Sequence, residues 1–443
     1  MIEILNGVTL YPELKAVMAI DSSTILDDKQ LKPVEIDKYK IAPWGEDNNL
    51  PAKILEKIEK SEIIGTNLIF NRDVSYGLGP KLVRVVKDNQ GKVVDYLPVD
   101  SGPEFDFFER NDIPLFFAEQ LTDMVTFHNT FCEMIPEAKS NKIHSLRHKE
   151  AVFSRWETMN NKGVINRHFY SAKWGESPSK NDIAVSAAID EYDALNDLNI
   201  KLTSKKQRLI FSAYMPSPGR PYYSQPQWYS IFESGWYDHS ITIPALKKAI
   251  IQNNMGVKYI IYISKKYLLD ICQREGIDMN DAEAVKNRYS KESETFNQFL
   301  TGSKNINKAI LALKEYVSNG NSGFEEKYIT IDTIKNAIEG GEYINDIETA
   351  ANIMCYAMGV HPSLIGATPG KGSSSLSGTD KRELFLMKQA LMRPVIDRTM
   401  RALKIIKAQN KWSTDILITV PEYVFTTLDK NKTGKEESVV NKV

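Results

Sequence analysis

The sequence predicts an α+β fold whose central and C-terminal parts are dominated by helices. Three observations carry this. In the first 214 residues, short β-forming runs such as Leu82–Val86 and Lys92–Leu97 alternate like strands. Further on, apolar residues recur at helical spacing: Ile344, Ile347, Ala351, Met354 and Met358 form one stripe on Glu342–Gly359. A polar loop, Gly366-Ala-Thr-Pro-Gly-Lys-Gly-Ser-Ser-Ser-Leu-Ser-Gly378, then separates that helix from a longer one reaching about Gln409.

The composition bounds what such a chain can do. At 443 residues there is room for two or three domains, and 42% apolar with 26% charged residues is a globular balance. A net charge of −1 argues against a tight electrostatic grip on nucleic acid, though not against a surface that DNA merely passes. Cys132, Cys272 and Cys355 lie far apart, with no CxxC spacing, so neither a disulfide framework nor a zinc site is expected, which fits assembly in a reducing compartment. No basic-then-apolar leader and no apolar run near ~18 residues is present, so neither a signal peptide nor a membrane span is expected.

In chain order, residues 1–40 read as a polar, poorly periodic arm. Ile41–Pro51 is a loop that opens a helix, since proline is tolerated in a first turn. A second helix, Glu62–Tyr76, ends at Gly77 and Gly79, and a hairpin follows, turning at Asp88-Asn-Gln-Gly91. Leu115–Phe127 is a helix; Phe131–Ile135, Ala151–Met159, Val164–Tyr170 and Arg208–Tyr214 are strands. Met215–Tyr223, rich in Pro, Gly and Tyr, reads as a boundary. Pro226 opens a helix to about Asn253 carrying Trp228, Phe232 and Trp236 at i, i+4 and i+8. A small insert follows: strand Val257–Ser264, helices Lys265–Arg274, Asp281–Leu300 and Asn307–Val317, then strand Tyr328–Ile331.

Gly359 and Pro362 stop the helix that begins at Glu342. Thr379 or Asp380 is expected to cap the long helix, which at ~1.5 Å per residue is on the order of 45 Å long. Pro394 lies inside it, removes the bond to the Ala390 carbonyl and is expected to kink it. Asp415–Val420 is a final strand, and the charged tail from Leu428 is expected to be disordered.

This order of parts resembles the portal proteins of tailed double-stranded DNA bacteriophages, over roughly Ile41 to Val424. The most specific residues are Tyr222-Tyr-Ser-Gln-Pro-Gln-Trp228 and Ala357-Met-Gly-Val-His-Pro-Ser-Leu-Ile-Gly366, with Ser377-Gly378 and Pro394 beyond. His361 stands where the family often has another residue. The resemblance implies an arm (1–40), an α+β wing (41–225), a first stem helix (226–256), a clip insert (257–332) and a second stem helix (333–362). A tunnel loop (363–378), a long kinked helix (379–410), a strand returning to the wing (411–427) and a tail (428–443) complete it, with a small or absent crown. It further implies a ring, dodecameric in the family, that passes double-stranded DNA into and out of a phage head at the capsid portal vertex. Terminase, a head–tail adaptor and the major capsid protein are the implied partners, with assembly in the host cytoplasm. In that reading Thr368, Lys371, Ser373, Ser374, Ser375 and Ser377 line the DNA channel, and Trp228, Phe232 and Trp236 pack the stem.

Several residues invite other readings. Gly370-Lys371 invites a nucleotide-binding P-loop, but Gly366 is one residue too close and Gly372 replaces the hydroxyl residue that such a loop needs. His128 and Cys132, four apart, could share a helix face as metal ligands, and Cys355 with His361 is a weaker pair; no second pair lies nearby. No GxSxG, HExxH or DxD pattern is present, so no catalytic residue, cofactor or metal is expected. The Trp228/Phe232/Trp236 stripe suits base stacking or packing, with packing favoured because large aromatics dominate interfaces. Lys381, Arg382, Lys388, Arg393, Arg398, Arg401, Lys404 and Lys407 fit either a salt-bridged helix or a face near DNA phosphates.

Overall fold

The structure, a computed structural model, describes residues 3–5, 8–11, 16–19, 32–176, 178–204, 208–253, 259–263, 265–301, 314–319, 322–327, 329–333, 342–366 and 377–423. It contains two compact units, one built from Met1–Thr242 with Tyr343–Val443 and the other from Ile243–Glu342.

The segment read as an unpatterned arm holds short strands instead. β1 (Glu3–Leu5), β2 (Val8–Tyr11) and β3 (Ala16–Ala19) pair antiparallel, and β4 (Val34–Ile36) with β5 (Tyr39–Ile41) makes a hairpin. Runs of three or four residues are too short for their alternation to stand out from the polar residues around them.

Helices α1 (Leu50–Glu59) and α2 (Glu62–Tyr76) follow, with Pro51 in the first turn of α1 and Ser61 capping α2. Strands β6 (Lys81–Lys87) and β7 (Val93–Pro98) form the expected hairpin. The next elements are α3 (Pro103–Arg110), α4 (Ile113–Phe127), β8 (Asn129–Pro136), β9 (Ile143–Lys149), β10 (Ser154–Trp156), β11 (Arg167–Tyr170), β12 (Ala184–Ala188), α5 (Ala194–Thr203) and β13 (Leu209–Tyr214). Six of these strands form a sheet in the order β10-β11-β12-β13-β8-β9, antiparallel except for β12 and β13, which run parallel across the α5 connection.

Both faces of this sheet are covered, so its inner strand β13 is an uninterrupted buried run, Leu-Ile-Phe-Ser-Ala. Cys132, Met134, Leu209 and Phe211 join one core with α4, α5 and residues 396–416. Phe131, Ala188 and Ile210 join the other, with Trp44, Ile64, Leu68, Trp228, Phe232, Met354 and Met392.

The helix expected over 226–253 is broken. A 3-10 turn at Gln227–Tyr229 leads into α6 (Ser230–Glu233), then α7 (Trp236–Asn253), with Gly235 between them at φ +81°. That left-handed backbone suits glycine and ends one helix before the next begins. Pro244 lies inside α7, where it removes the bond to the Ser240 carbonyl.

In the second unit, β14 (Tyr259–Ile263), α8 (Lys265–Arg274), α9 (Ala282–Thr301), β15 (Lys314–Asn319), β16 (Ser322–Lys327) and β17 (Ile329–Thr333) follow in order. β14 pairs with β17, so the two strands bounding the insert close on each other. β15 and β16 form a hairpin through Asn319 and Ser322, so residues 314–317, expected in a helix, are a strand; residues 307–313 lie outside the described residues. Tyr316 and Val317 favour this pairing. Arg288 holds α8 to α9 through Glu275 at 2.7 Å, with Glu292 at 2.7 Å on its own helix.

The chain then forms α10 (Glu342–Ala357), α11 (Pro362–Ile365), α12 (Gly378–Thr399), α13 (Arg401–Gln409) and β18 (Ile416–Thr419). β18 pairs with β6, far back in the sequence, and makes the three-stranded sheet β18-β6-β7. The long helix runs through Pro394 and is interrupted at Met400, where the Met400 N–H still bonds to the Ile396 carbonyl at 2.9 Å. The charged tail from Leu428 lies outside the described residues.

Candidate functional site

The site that the sequence singles out is the Gly/Ser loop, and the structure shows how its two ends are held. At the first end α10 stops in a Schellman motif: Val360 N–H bonds to the Cys355 carbonyl at 2.9 Å and Gly359 N–H to the Tyr356 carbonyl at 3.0 Å. Gly359 sits at φ +63°, which a residue with a Cβ resists. Val360 is buried beyond it, and His361 caps α11, its Nδ1 accepting from Ser363 N–H at 3.2 Å.

One helix holds this turn by hydrogen bonds and another packs beside it. From α2, the Asn71 side chain donates to the Met358 carbonyl at 3.2 Å, and Asn67 donates to Cys355 Sγ at 3.5 Å. From α12, Lys388 brings its Nζ to 3.6 Å from where a Cβ on Gly359 would lie. Lys388 is buried, and burial pulls its ammonium down to about 8. A cation beside the carbonyl end of α10 is placed where the helix dipole favours it.

At the far end Ser377 and Asp380 form a capping box. Ser377 Oγ accepts from Asp380 N–H at 3.1 Å, and the Asp380 carboxylate accepts from Ser377 N–H at 3.1 Å. The cap is therefore Ser377, not Thr379 or Asp380 as expected, and capping alone accounts for a serine here. Thr368, Lys371, Ser373, Ser374 and Ser375 lie outside the described residues.

The aromatic residues divide. Trp228 and Phe232 are buried in this chain's own core, their rings 5.7 Å apart, with Phe232 5.1 Å from Tyr237. Trp228 Nε1 donates to the Val125 carbonyl at 3.4 Å. Trp236 lies beyond the break at Gly235, half-buried, 6.0 Å from the His239 ring. The continuous helical stripe expected from i, i+4 and i+8 spacing does not exist, because the helix carrying it is interrupted.

The basic residues of α12 and α13 are mostly spoken for. Arg398 pairs with Glu191 and donates to the Tyr214 carbonyl at 2.8 Å; Arg393 lies 3.7 Å from Asp397 and 3.6 Å from Glu422. Lys404 reaches Asp397 at 3.4 Å, and Lys407 bonds to the Ile416 carbonyl. Salt bridges and buried anchors account for these five, Lys388 included.

The metal-like pairs come apart. His128 ends α4 at φ +55°, whereas Cys132 is buried in β8, so they share no helix face. Burial lowers His128 to about 4 and raises the Cys132 thiol. Among the described residues no group of three or more His, Cys, Asp or Glu is placed to hold a metal ion. Asp123 and His148, buried 3.3 Å apart, look catalytic but fasten α4 to β9. Asp123 accepts from Ala151 N–H at 2.8 Å, and Gln120 lies 2.6 Å from His148 Nδ1. Burial pushes Asp123 up to about 8 and His148 down to about 4, which favours a neutral pair.

The sequence marks Lys388 and Arg398 as cations of the long helix, but not the role of Asn71, the burial of Lys388 or the pairing of Arg398 with Glu191. Polar residues at the apolar positions of α2 and α12 were the available signal.

No protein-family model matches the chain, and no curated protein matches it in sequence. Solved structures match its fold. A chain of the neck of a native gene transfer agent particle, computed with C12 symmetry, superposes with TM-score 0.55 at 11% identity, over 85% of this chain and 84% of that one. A chain of the virion of a native gene transfer agent particle gives 0.53 at 12% identity, over 87% and 86%. An HK97-family phage portal protein from Corynebacterium diphtheriae aligns over 82% of this chain and 94% of that one at 10% identity, with a TM-score of only 0.29. The chain thus has the α+β fold of chains found in gene transfer agent particles. The α+β class is the one expected from the sequence.

Proposed function

We propose that this chain is the portal subunit of a tailed-phage-type particle. It forms a ring-shaped channel through which double-stranded DNA enters and leaves the head. The observation that carries this is the fold shared, over 85% of the chain, with a particle neck computed with C12 symmetry. Identical subunits joined through two different faces close into a ring when the rotation closes, and the C12 symmetry of that neck supports twelve copies. The portal is a non-enzymatic virion component at the capsid vertex. It offers a platform to terminase during packaging and to a head–tail adaptor afterwards, with major capsid protein around it.

The loop over residues 367–376 serves as the channel lining. The flanks of this loop are fixed by the Schellman turn at Gly359 and the capping box at Ser377. DNA must slide past, so weak hydroxyl contacts and one lysine suit the task better than tight phosphate clamps. The unit Ile243–Glu342 is the clip that meets the adaptor. Negative-stain microscopy of the purified chain tests the proposal. Rings with a central hole are expected, and a monomer at micromolar concentration in every salt condition overturns it.

A further inference from the structure

Between Leu386 and Pro394, helix α12 buries polar side chains and exposes apolar ones. Lys388 and Gln389 are buried, and neither amide atom of Gln389 has a hydrogen-bond partner. On the other side Leu391 is 74% exposed and Met387 56%, with Leu386, Ala390 and Pro394 exposed beside them. Every exposed residue of this stretch except Arg393 is apolar. At about 3.6 residues per turn the five apolar ones share one face, about 12 Å long.

Within one chain this arrangement is unfavourable on both sides. A surface helix ordinarily turns its apolar stripe inward. Here leucine and methionine side chains stay in water, and a glutamine amide is buried unpaired. A contiguous exposed apolar face with a polar rim marks a protein contact. Glu383 before the face, and Arg393 with Asp397 at its far end, supply that charged rim, all three exposed. The face itself is uncharged and has nothing to offer DNA phosphates. Its place in the chain indicates what covers it. α12 starts from the capping box at Ser377, so Leu386 lies only about 14 Å along the helix from the Gly/Ser loop. In the ring proposed above, on which this inference rests, that position is close to the axis, where copies are most crowded. Twelve helices side by side at a packing distance of ~10 Å make a circle of radius about 20 Å.

We infer that the face of α12 from Leu386 to Pro394 is covered by a second copy of this chain, immediately behind the channel loop. In a closed ring the contact is heterologous, so this face meets a different surface of the neighbour. Being apolar, it holds at salt concentrations that screen charged contacts.

The test is mass photometry of the full chain, comparing the parent with the double variant Met387→Gln, Leu391→Gln. Glutamine is a good helix former and both positions are exposed, so the urea midpoint of the dissociated variant should match the parent's. The concentration for half-assembly is expected to rise at least about tenfold, as for the loss of one buried apolar side chain. Leu195→Gln, at an exposed position of α5, is the control and should leave assembly unchanged. Peroxide oxidation reads the same face without a substitution. Met387 should oxidise at least about fivefold more slowly in the assembled parent than in the dissociated chain, with buried Met392 slow in both. If the double variant misfolds, the oxidation result decides. A parent that stays monomeric overturns the ring reading and this inference together. Rings in which Met387 oxidises as fast as in the free chain, or which the double variant forms at the parent's concentration, overturn this inference alone and give the face to a partner other than this chain. Equal weakening by Leu195→Gln overturns it as well.

Discussion

The indole of Trp44 lies flat on the ring of Tyr223, with centroids 4.2 Å apart and planes within 8°. The Tyr223 hydroxyl donates to the Ala42 carbonyl at 2.9 Å and accepts from Trp156 N–H at 2.7 Å. The loop that Trp44 belongs to is fixed from the other side by Arg155, which is fully buried. Arg155 donates to Asn48 Oδ1 at 2.6 Å and to the Asn48 carbonyl at 2.7 Å. Two stretches far apart in the sequence, Ile41–Leu50 and Tyr222–Trp228, are therefore one packed joint against the six-stranded sheet. Asn129 completes it, exchanging hydrogen bonds of 2.8 and 3.0 Å with the Ser224 backbone.

Removal of that joint's central hydroxyl should be felt by the whole first unit. Tyr223→Phe keeps the stacking but leaves a buried carbonyl and a buried N–H without their partner. A loss of about 1–3 kcal/mol is expected. Urea unfolding measures it, and a change below about 0.5 kcal/mol would show that the ring alone holds the joint.

His168 is buried with both ring nitrogens unpartnered, packed 5.4 Å from Phe131 and 5.4 Å from Trp156. His168→Phe is expected to raise stability by about 1 kcal/mol, since it removes the unsatisfied groups. Burial holds His168 at about 3 and His128 at about 4, both below the ordinary value of 6.5. The unfolded chain then binds more protons, so their contribution is complete above pH 6.5 and is lost as pH falls through 4. The urea midpoint should drop over that window, and less steeply in His168→Phe.

Lys388 gives the opposite end of the pH scale. Its folded value of about 8 lies below the ordinary 10.5, so the native state gains stability as pH rises from 8 to 10.5. Lys388→Met fills the same space without a buried charge. At pH 7 it should be neutral or stabilising, and the rise between pH 8 and 10.5 should flatten. A variant that keeps the full alkaline rise would assign it to another group.

The Gly/Ser loop and its cap separate in their effects. Ser377→Ala removes the cap and should cost about 0.5–2 kcal/mol, with faster hydrogen exchange in the first turn of α12. Deletion of Gly372–Ser375 leaves both flanking motifs in place, so rings should still form while DNA packaging or retention falls. A shortened loop that packages and retains a full genome would make the loop a linker only.

Legibility varied by element, for physical reasons. The stop at Gly359 was readable because glycine in the left-handed region and Pro362 beyond it are local signals, and the Schellman bonds confirm it. The hairpin β6–β7 and the strand β13 were readable from alternation and from a continuous apolar run. α3, α5, β9 and β12 escaped, since each is short and mixes polar residues into its pattern. The break at Gly235 was also missed, because a lone glycine inside a helical pattern is usually tolerated.

By itself the sequence determined the α+β class, the order of its principal elements and the loop between two capped helices. These follow from periodicity and from residues with local conformational preferences. Only the tertiary structure decided that Trp228 and Phe232 are core, that Asn71 holds the turn before the loop with Lys388 buried beside it, and that Glu191 faces Arg398 from 207 residues away. Those outcomes depend on which distant segments share a surface. The energy of burying a charge or a ring is set by those neighbours and not by the adjacent sequence.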